Sequence, residues 1–156
     1  MKRLAAFALL AFALTPRMSG AQLADRKVLT LAAAKSMLVA AQAEAAKNGW
    51  SLSIAVVDSH GELLAFERMD GASLATTAIA QGKALTAARY KRESRLVDSA
   101  VTAGRVQMMA FPGVMPVEGG VPILVNNVVI GEIGASGATS AQDAQAAKAG
   151  IAALKP

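Results

Sequence analysis

Two pairs of short extended segments, each closed by its own turn chemistry and separated by helical stretches, constrain this sequence more than any other feature. In the first pair, Leu52, Ile54 and Val56 alternate with Ser53, Ala55 and Val57, Asp58-Ser59-His60-Gly61 supplies the turn, and Glu62 to Met69 runs as a second strand. In the second, Val121 to Val125 and Val128 to Ile133 flank Asn126-Asn127, residues that tolerate positive φ in a tight turn. Gly131, Gly134 and Gly137 punctuate the last strand and its exit, where tight packing or presentation of backbone N–H groups to an anion are both open.

Around the hairpins the period changes to that of helices. Leu31, Ala34, Leu38, Ala41 and Ala45 form a stripe opened by Thr30 as N-cap and closed by Asn48-Gly49. Ser73 to Tyr90 is an alanine-rich helical pattern that tolerates Gly82, and a shorter helix is expected over Glu93 to Gly104. Met108 to Gly120 carries Pro112, Gly113, Pro116, Gly119 and Gly120, too many breakers for an element interior, and reads as an ordered loop. Ser140 to Leu154 is a final helix, with Ser140 and Asp143 placed to cap its first turn. The order αββα(α)ββα, without alternating βαβ units, predicts an α+β fold on a mainly antiparallel sheet.

A chain of 156 residues, 54% hydrophobic and 17% charged, predicts one domain with a real core. The absence of cysteine excludes disulfides, iron–sulfur clusters and thiol nucleophiles. A single histidine, His60, and no Gly-x-Ser-x-Gly elbow give a hydrolase triad no anchor.

The first residues have the layout of a secretory signal. Lys2 and Arg3 precede the uncharged apolar run Leu4 to Leu14, Pro16 ends it, and Ser19-Gly20-Ala21 offers small residues for cleavage before Gln22. The run is shorter than the roughly 20 apolar residues a membrane span needs. The expectation is a signal peptide over residues 1–21, a mature domain over 22–156, and a periplasmic or secreted location with no membrane attachment after cleavage. Removal of Lys2, Arg3 and Arg17 lowers the net charge from +5 to +2, so the basic balance says little about nucleic acid, and no nucleic-acid partner is expected. What stays basic is local: Arg89, Lys91, Arg92 and Arg95 lie within seven residues.

Few groups offer chemistry. Asp58, Glu62, Glu67 and Asp70 lie on or beside the first hairpin, with Asp58 read as an Asx-type turn residue and Glu62 and Glu67 sent to opposite faces by alternation. His60 in the same turn is either polar filler or an iron ligand. Met108, Met109, Phe111 and Met115 supply polarizable side chains to the long loop, suited to core, to an interface or to an adaptable apolar ligand.

Several segments together resemble one family. Val56-Val57-Asp58-Ser59-His60-Gly61-Glu62-Leu63, Arg68-Met69-Asp70-Gly71-Ala72, Lys83-Ala84 followed by Thr86-Ala87, Gly119-Gly120-Val121-Pro122-Ile123 and Gly131-Glu132-Ile133-Gly134-Ala135-Ser136-Gly137 resemble the haem-degrading and haem-binding HbpS-like, or GlcG-like, family. The resemblance implies a profilin-like α+β domain with a five-stranded, mainly antiparallel sheet flanked by helices, assembling into homo-oligomers. It also implies a small-molecule ligand, haem or a related tetrapyrrole, since secreted members bind haem and take part in haem or redox sensing. Carried onto matching positions, the pocket would draw on Arg68, Asp70, Lys83, Gly119, Gly120, Ser136 and Asp143. His60 or Met69 would be the haem-iron ligand, and Arg68, Lys83 and the Arg89 to Arg95 group would pair with propionates. Two departures stand out: Ala135 replaces a common Val, and Ala144 stands where the family commonly places Glu, removing a second carboxylate from that helix end.

The leading expectation is an exported haem- or tetrapyrrole-binding protein acting in sensing, storage or degradation. The rival is a small enzyme acting on a small organic or hydroxy acid, anchored by Arg68 and the Ser136 to Ser140 helix start, with Asp70 or Asp143 as base. A third reading is a non-catalytic assembly module.

Overall fold

A computed structural model describes residues 24–155. The proposed signal peptide and its cleavage site at residues 1–22 lie outside them. No helix among the described residues is long and apolar enough to cross a membrane.

The elements follow the expected order. Helix α1 (Leu31–Lys47) precedes the hairpin β1 (Ser53–Asp58) and β2 (Leu63–Arg68), then come α2 (Ala75–Tyr90) and α3 (Ser94–Thr102), then β3 (Gly120–Val125), β4 (Val128–Ser136) and α4 (Ser140–Ala152). The sheet is antiparallel throughout with the order β2-β1-β4-β3, so the two hairpins join through their inner strands. The described residues form four strands, where the family resemblance implies five. Val106–Ala110 is a 3₁₀ turn, and the Pro- and Gly-rich stretch after it cannot supply the regular ladder a fifth strand needs.

Local chemistry explains the ends. Thr30 Oγ1 accepts from Ala33 N–H at 3.2 Å, and Gly49 (φ +72°) carries the chain away from α1. Asn126 and Asn127 both adopt positive φ in the β3–β4 turn. Asp58 Oδ1 accepts from His60 N–H at 2.8 Å and Glu62 N–H at 3.0 Å, which makes it the turn residue expected. At α4 the cap differs from expectation: Thr139 is the N-cap, its N–H bonded to Gln142 Oε1 at 3.1 Å, while Asp143 turns inward. Burial drives that difference, since Asp143 is only 2% exposed.

Three layers result. On one face of the sheet Leu52, Ile54, Val56, Ile123 and Ile133 pack with Met37, Leu38 and Ala41 of α1 and Ala146 and Ala147 of α4. On the other, Ala55 and Val57 meet Ala80, Ala84 and Ala88 of α2. This second contact is close because both partners are small. A Cβ at Gly134 would come within 2.2 Å of Ala80 O, and one at Gly120 within 2.1 Å of Lys83 O. Gly131 and Gly134 therefore sit inside β4, which extends three residues past its expected end at Ile133. Gly134→Ala is expected to lower stability by about 2–3 kcal/mol, because the helix must lift from the sheet. Urea denaturation checks this, and an unchanged midpoint would contradict it.

Candidate functional site

Five of the seven pocket residues expected from the sequence come together under α2. Lys83, on the sheet-facing side of that helix, donates from Nζ to Asp143 Oδ2 at 2.7 Å, and both side chains are 2% exposed. Asp143 also accepts from Ala138 N–H at 3.0 Å. Burial raises its pKa, against the pull of the Lys83 ammonium and the backbone N–H groups. Gly119 (φ +128°) leaves space for the ammonium, since a Cβ there would lie 2.9 Å from Lys83 Nζ. Gly120 passes beneath the helix, its N–H held by Ser94 Oγ at 2.9 Å, and Ser136 is buried at the end of β4.

This arrangement is a closed ion pair clamping α2 to α4. Removing one partner of such a pair typically costs about 3–5 kcal/mol, because the other is left charged in the interior. The groups that a small acid would use at the start of α4 are engaged within the chain: Ala138 N–H by Asp143 and Thr139 N–H by Gln142.

The other expected residues lie elsewhere. Arg68 is exposed at the end of β2, where its Nη1 donates to Ala72 O at 2.9 Å across the turn that holds the exposed Asp70. Met69 follows it, half-buried, with Sδ accepting from Leu52 N–H at 3.5 Å. His60 is at the opposite end of the strand, in the β1–β2 turn, its side chain 69% exposed and Nδ1 3.9 Å from Asp58 Oδ2. His60 and Met69 are thus separated by the length of β2.

Sequence reasoning missed Glu132. It sits in the middle of β4, opposite Val57 on one side and Pro122 on the other, and is fully buried. Oε1 lies 3.5 Å from Lys91 Nζ, while Oε2 is buried without a hydrogen-bond partner. Burial pushes its pKa up from an ordinary 4.5 to about 7, with Lys91 pulling the other way and Asp58 adding to the rise. The signal in the sequence is a lone carboxylate inside the apolar run Val128 to Ile133.

Lys91 connects this carboxyl to an open groove. The residue caps α2 in the left-handed conformation (φ +49°), and its ammonium also donates to Ser59 O in the His60 turn. The groove, about 500 Å³, runs along the free edge of β3 between α3 and α4. Leu96, Val121, Pro122, Leu124, Ile151 and Ala152 make its apolar surface, and Lys91, Arg92 and Lys148 rim it together with Glu93. Lys148 pairs with Glu93 at 3.3 Å, whereas no carboxylate lies within 4.0 Å of Arg92 among the described residues. Three cations over an apolar floor suit a flat apolar ligand that carries carboxylates. Among the described residues no three His, Asp or Glu side chains cluster as a metal site requires.

The fold and these motifs define an α+β domain of the GlcG and HbpS type. The family model "Haem degrading protein HbpS-like" matches residues 29–152, and the chain belongs to that family. Protein GlcG of Escherichia coli (strain K12) is 45% identical over 107 residues, spanning 69% of this chain and 80% of that protein. The crystal structure of HbpS superposes with a TM-score of 0.81 at 32% identity, covering 88% of this chain and 98% of that one. A crystal structure described as a PduOC:Heme complex does so with 0.75 at 26% identity, covering 82% and 96%.

A carboxyl that keeps its proton to about pH 7 when folded, but releases it near 4.5 when unfolded, makes the fold less stable as pH rises through that window. Glu132→Gln removes this dependence. The melting temperature of the variant, relative to wild type, is expected to be higher at about pH 8 than at about pH 5. Equal differences at both pH values would show that Glu132 ionises as freely in the fold as outside it.

Proposed function

We propose that this chain is an exported haem- or tetrapyrrole-binding protein that works as a homo-oligomer in the periplasm or outside the cell. The observation that carries the binding role is the β3-edge groove, whose apolar floor matches a porphyrin face and whose Lys91, Arg92 and Lys148 match propionates. Membership of the HbpS-like family and the likeness to a haem complex support the same ligand class. The export proposal rests on the n-region, apolar run and small residues of the first 21 positions.

The residues present fit the cofactor. Lys91 and Arg92 leave the end of α2 side by side, and Lys148 faces them from α4, so carboxylates are gripped from two elements. The candidate imidazole is His60, next to Ser59, whose carbonyl accepts from the Lys91 ammonium. Of the family-matched set, Lys83, Gly119, Gly120, Ser136 and Asp143 are proposed to hold the fold beside this groove, chiefly through the Lys83–Asp143 clamp, while Arg68 and Asp70 lie at the opposite edge of the sheet. When bound, haem supplies iron for redox sensing or oxygen chemistry, while the protein's part is to seat the ring and neutralise its carboxylates.

Titration of the chain from Gln22 onward with hemin, following the Soret band, tests this. Saturable stoichiometric binding is expected. Reversing charge with Arg92→Glu and Lys148→Glu together is expected to weaken it at least about tenfold, the scale of losing charge-assisted bonds. Loss of the ligand-field bands in His60→Ala would make His60 the iron ligand. No saturable shift in wild type, with turnover of a small hydroxy acid instead, would replace the proposal by the enzyme reading.

A further inference from the structure

Glu132 is a fully buried carboxyl with an oxygen that has no partner, set directly behind a wall of the groove. Pro122 and Lys91, its neighbours, both line that groove. Lys91 is shared: its ammonium lies 3.5 Å from Glu132 Oε1 and also reaches Ser59 O, while the side chain is 47% exposed. A lysine held inward by a buried carboxylate is not free to pair with a carboxylate in the groove. The same lysine is released when the carboxyl becomes neutral.

We infer that the groove takes up its carboxylate-bearing ligand together with a proton, which is stored on Glu132 as Lys91 turns from Glu132 to the ligand. This deepens the binding role proposed above and rests on it. The charged groups acting on Glu132 are Lys91 from the end of α2 and Asp58 from the end of β1, and β3 puts the uncharged Pro122 opposite it. Asp58 is itself held by the His60 and Glu62 N–H groups and lies near His60 Nδ1. When the ligand draws Lys91 away, Glu132 loses the attraction that favoured its charged form and retains the repulsion of Asp58. Its pKa therefore rises from about 7 in the free protein to a higher value in the complex. Between those two values binding takes up a proton, and affinity falls as pH rises. Below the lower value both states are protonated, and affinity is flat.

Free-base protoporphyrin IX is the probe, because it carries the two propionates but no iron, which removes iron ligation by His60 from the readout. Its Kd is measured by fluorescence from about pH 6 to about pH 9, in wild type, Glu132→Gln and Lys91→Met. Wild type is expected to bind with a constant Kd up to about pH 7, then to weaken by as much as about tenfold per pH unit, the limit for one coupled proton. Glu132→Gln is expected to keep the tight low-pH Kd throughout, because nothing holds Lys91 back. Lys91→Met is expected to bind weakly and without a pH slope. The opposite affinities of two flat profiles separate this coupling from general damage to the fold. A flat wild-type profile, or a slope that survives in Glu132→Gln, overturns the inference while leaving tetrapyrrole binding intact. Absence of binding at every pH overturns the binding role, and the inference with it.

Discussion

The backbone of α2 rests on the sheet with no side chain between them at Gly120 and Gly134, and the rest of the molecule is arranged around that contact. A helix this close must present alanines inward, as Ala80, Ala84 and Ala88 do. The one long side chain on that face, Lys83, has to find its partner in the interior. Gly119 makes room for its ammonium, and Asp143 receives it from α4. A residue pair far apart in sequence thus ties the helix on one face of the sheet to a helix on the other.

The same close approach determines what happens at the far end of α2. The helix stops at Lys91 in a left-handed turn, directly over the row Val57, Glu132 and Pro122. Lys91 thereby reaches three places: the buried carboxyl, the turn before β2 and the groove along β3. The edge position of β3 matters here. Pro122 is tolerated because this strand has a neighbour on one side only, and its free side is where the apolar floor is exposed. Packing, charge and the open groove meet at one helix terminus.

Much of this was legible in the residues. Thr30, Asn48-Gly49, Asn126-Asn127 and Asp58 each have a local chemistry that sets an element boundary, and each does in the structure what its type suggests. Legibility ends where the reason for a residue is its neighbour in space. Asp143 reads as a helix cap by position, yet bonds Lys83 because the sheet buries both. Gly134 reads as lying past the strand, yet continues β4 because the sheet runs on beneath α2, which a Cβ there would strike, and Gly131 sits inside the strand where a Cβ would strike β1. Glu132 lies in the Gly131–Gly137 motif without an evident role, since its meaning depends on Lys91, 41 residues earlier in the chain. The groove is formed by the ends of α2, α3 and α4 against one strand, and no single segment announces it.

The binding role proposed for this chain puts tetrapyrrole carboxylates at the β3-edge groove rather than at the family-matched cluster under α2. A crystal structure of the protein with hemin bound tests it most directly. The ring is expected against Pro122, Leu124 and Leu96 with at least one propionate within hydrogen-bond distance of Lys91, Arg92 or Lys148. A ring seated instead over Arg68 and Asp70, or one that opens the Lys83–Asp143 pair to reach its ammonium, would contradict it.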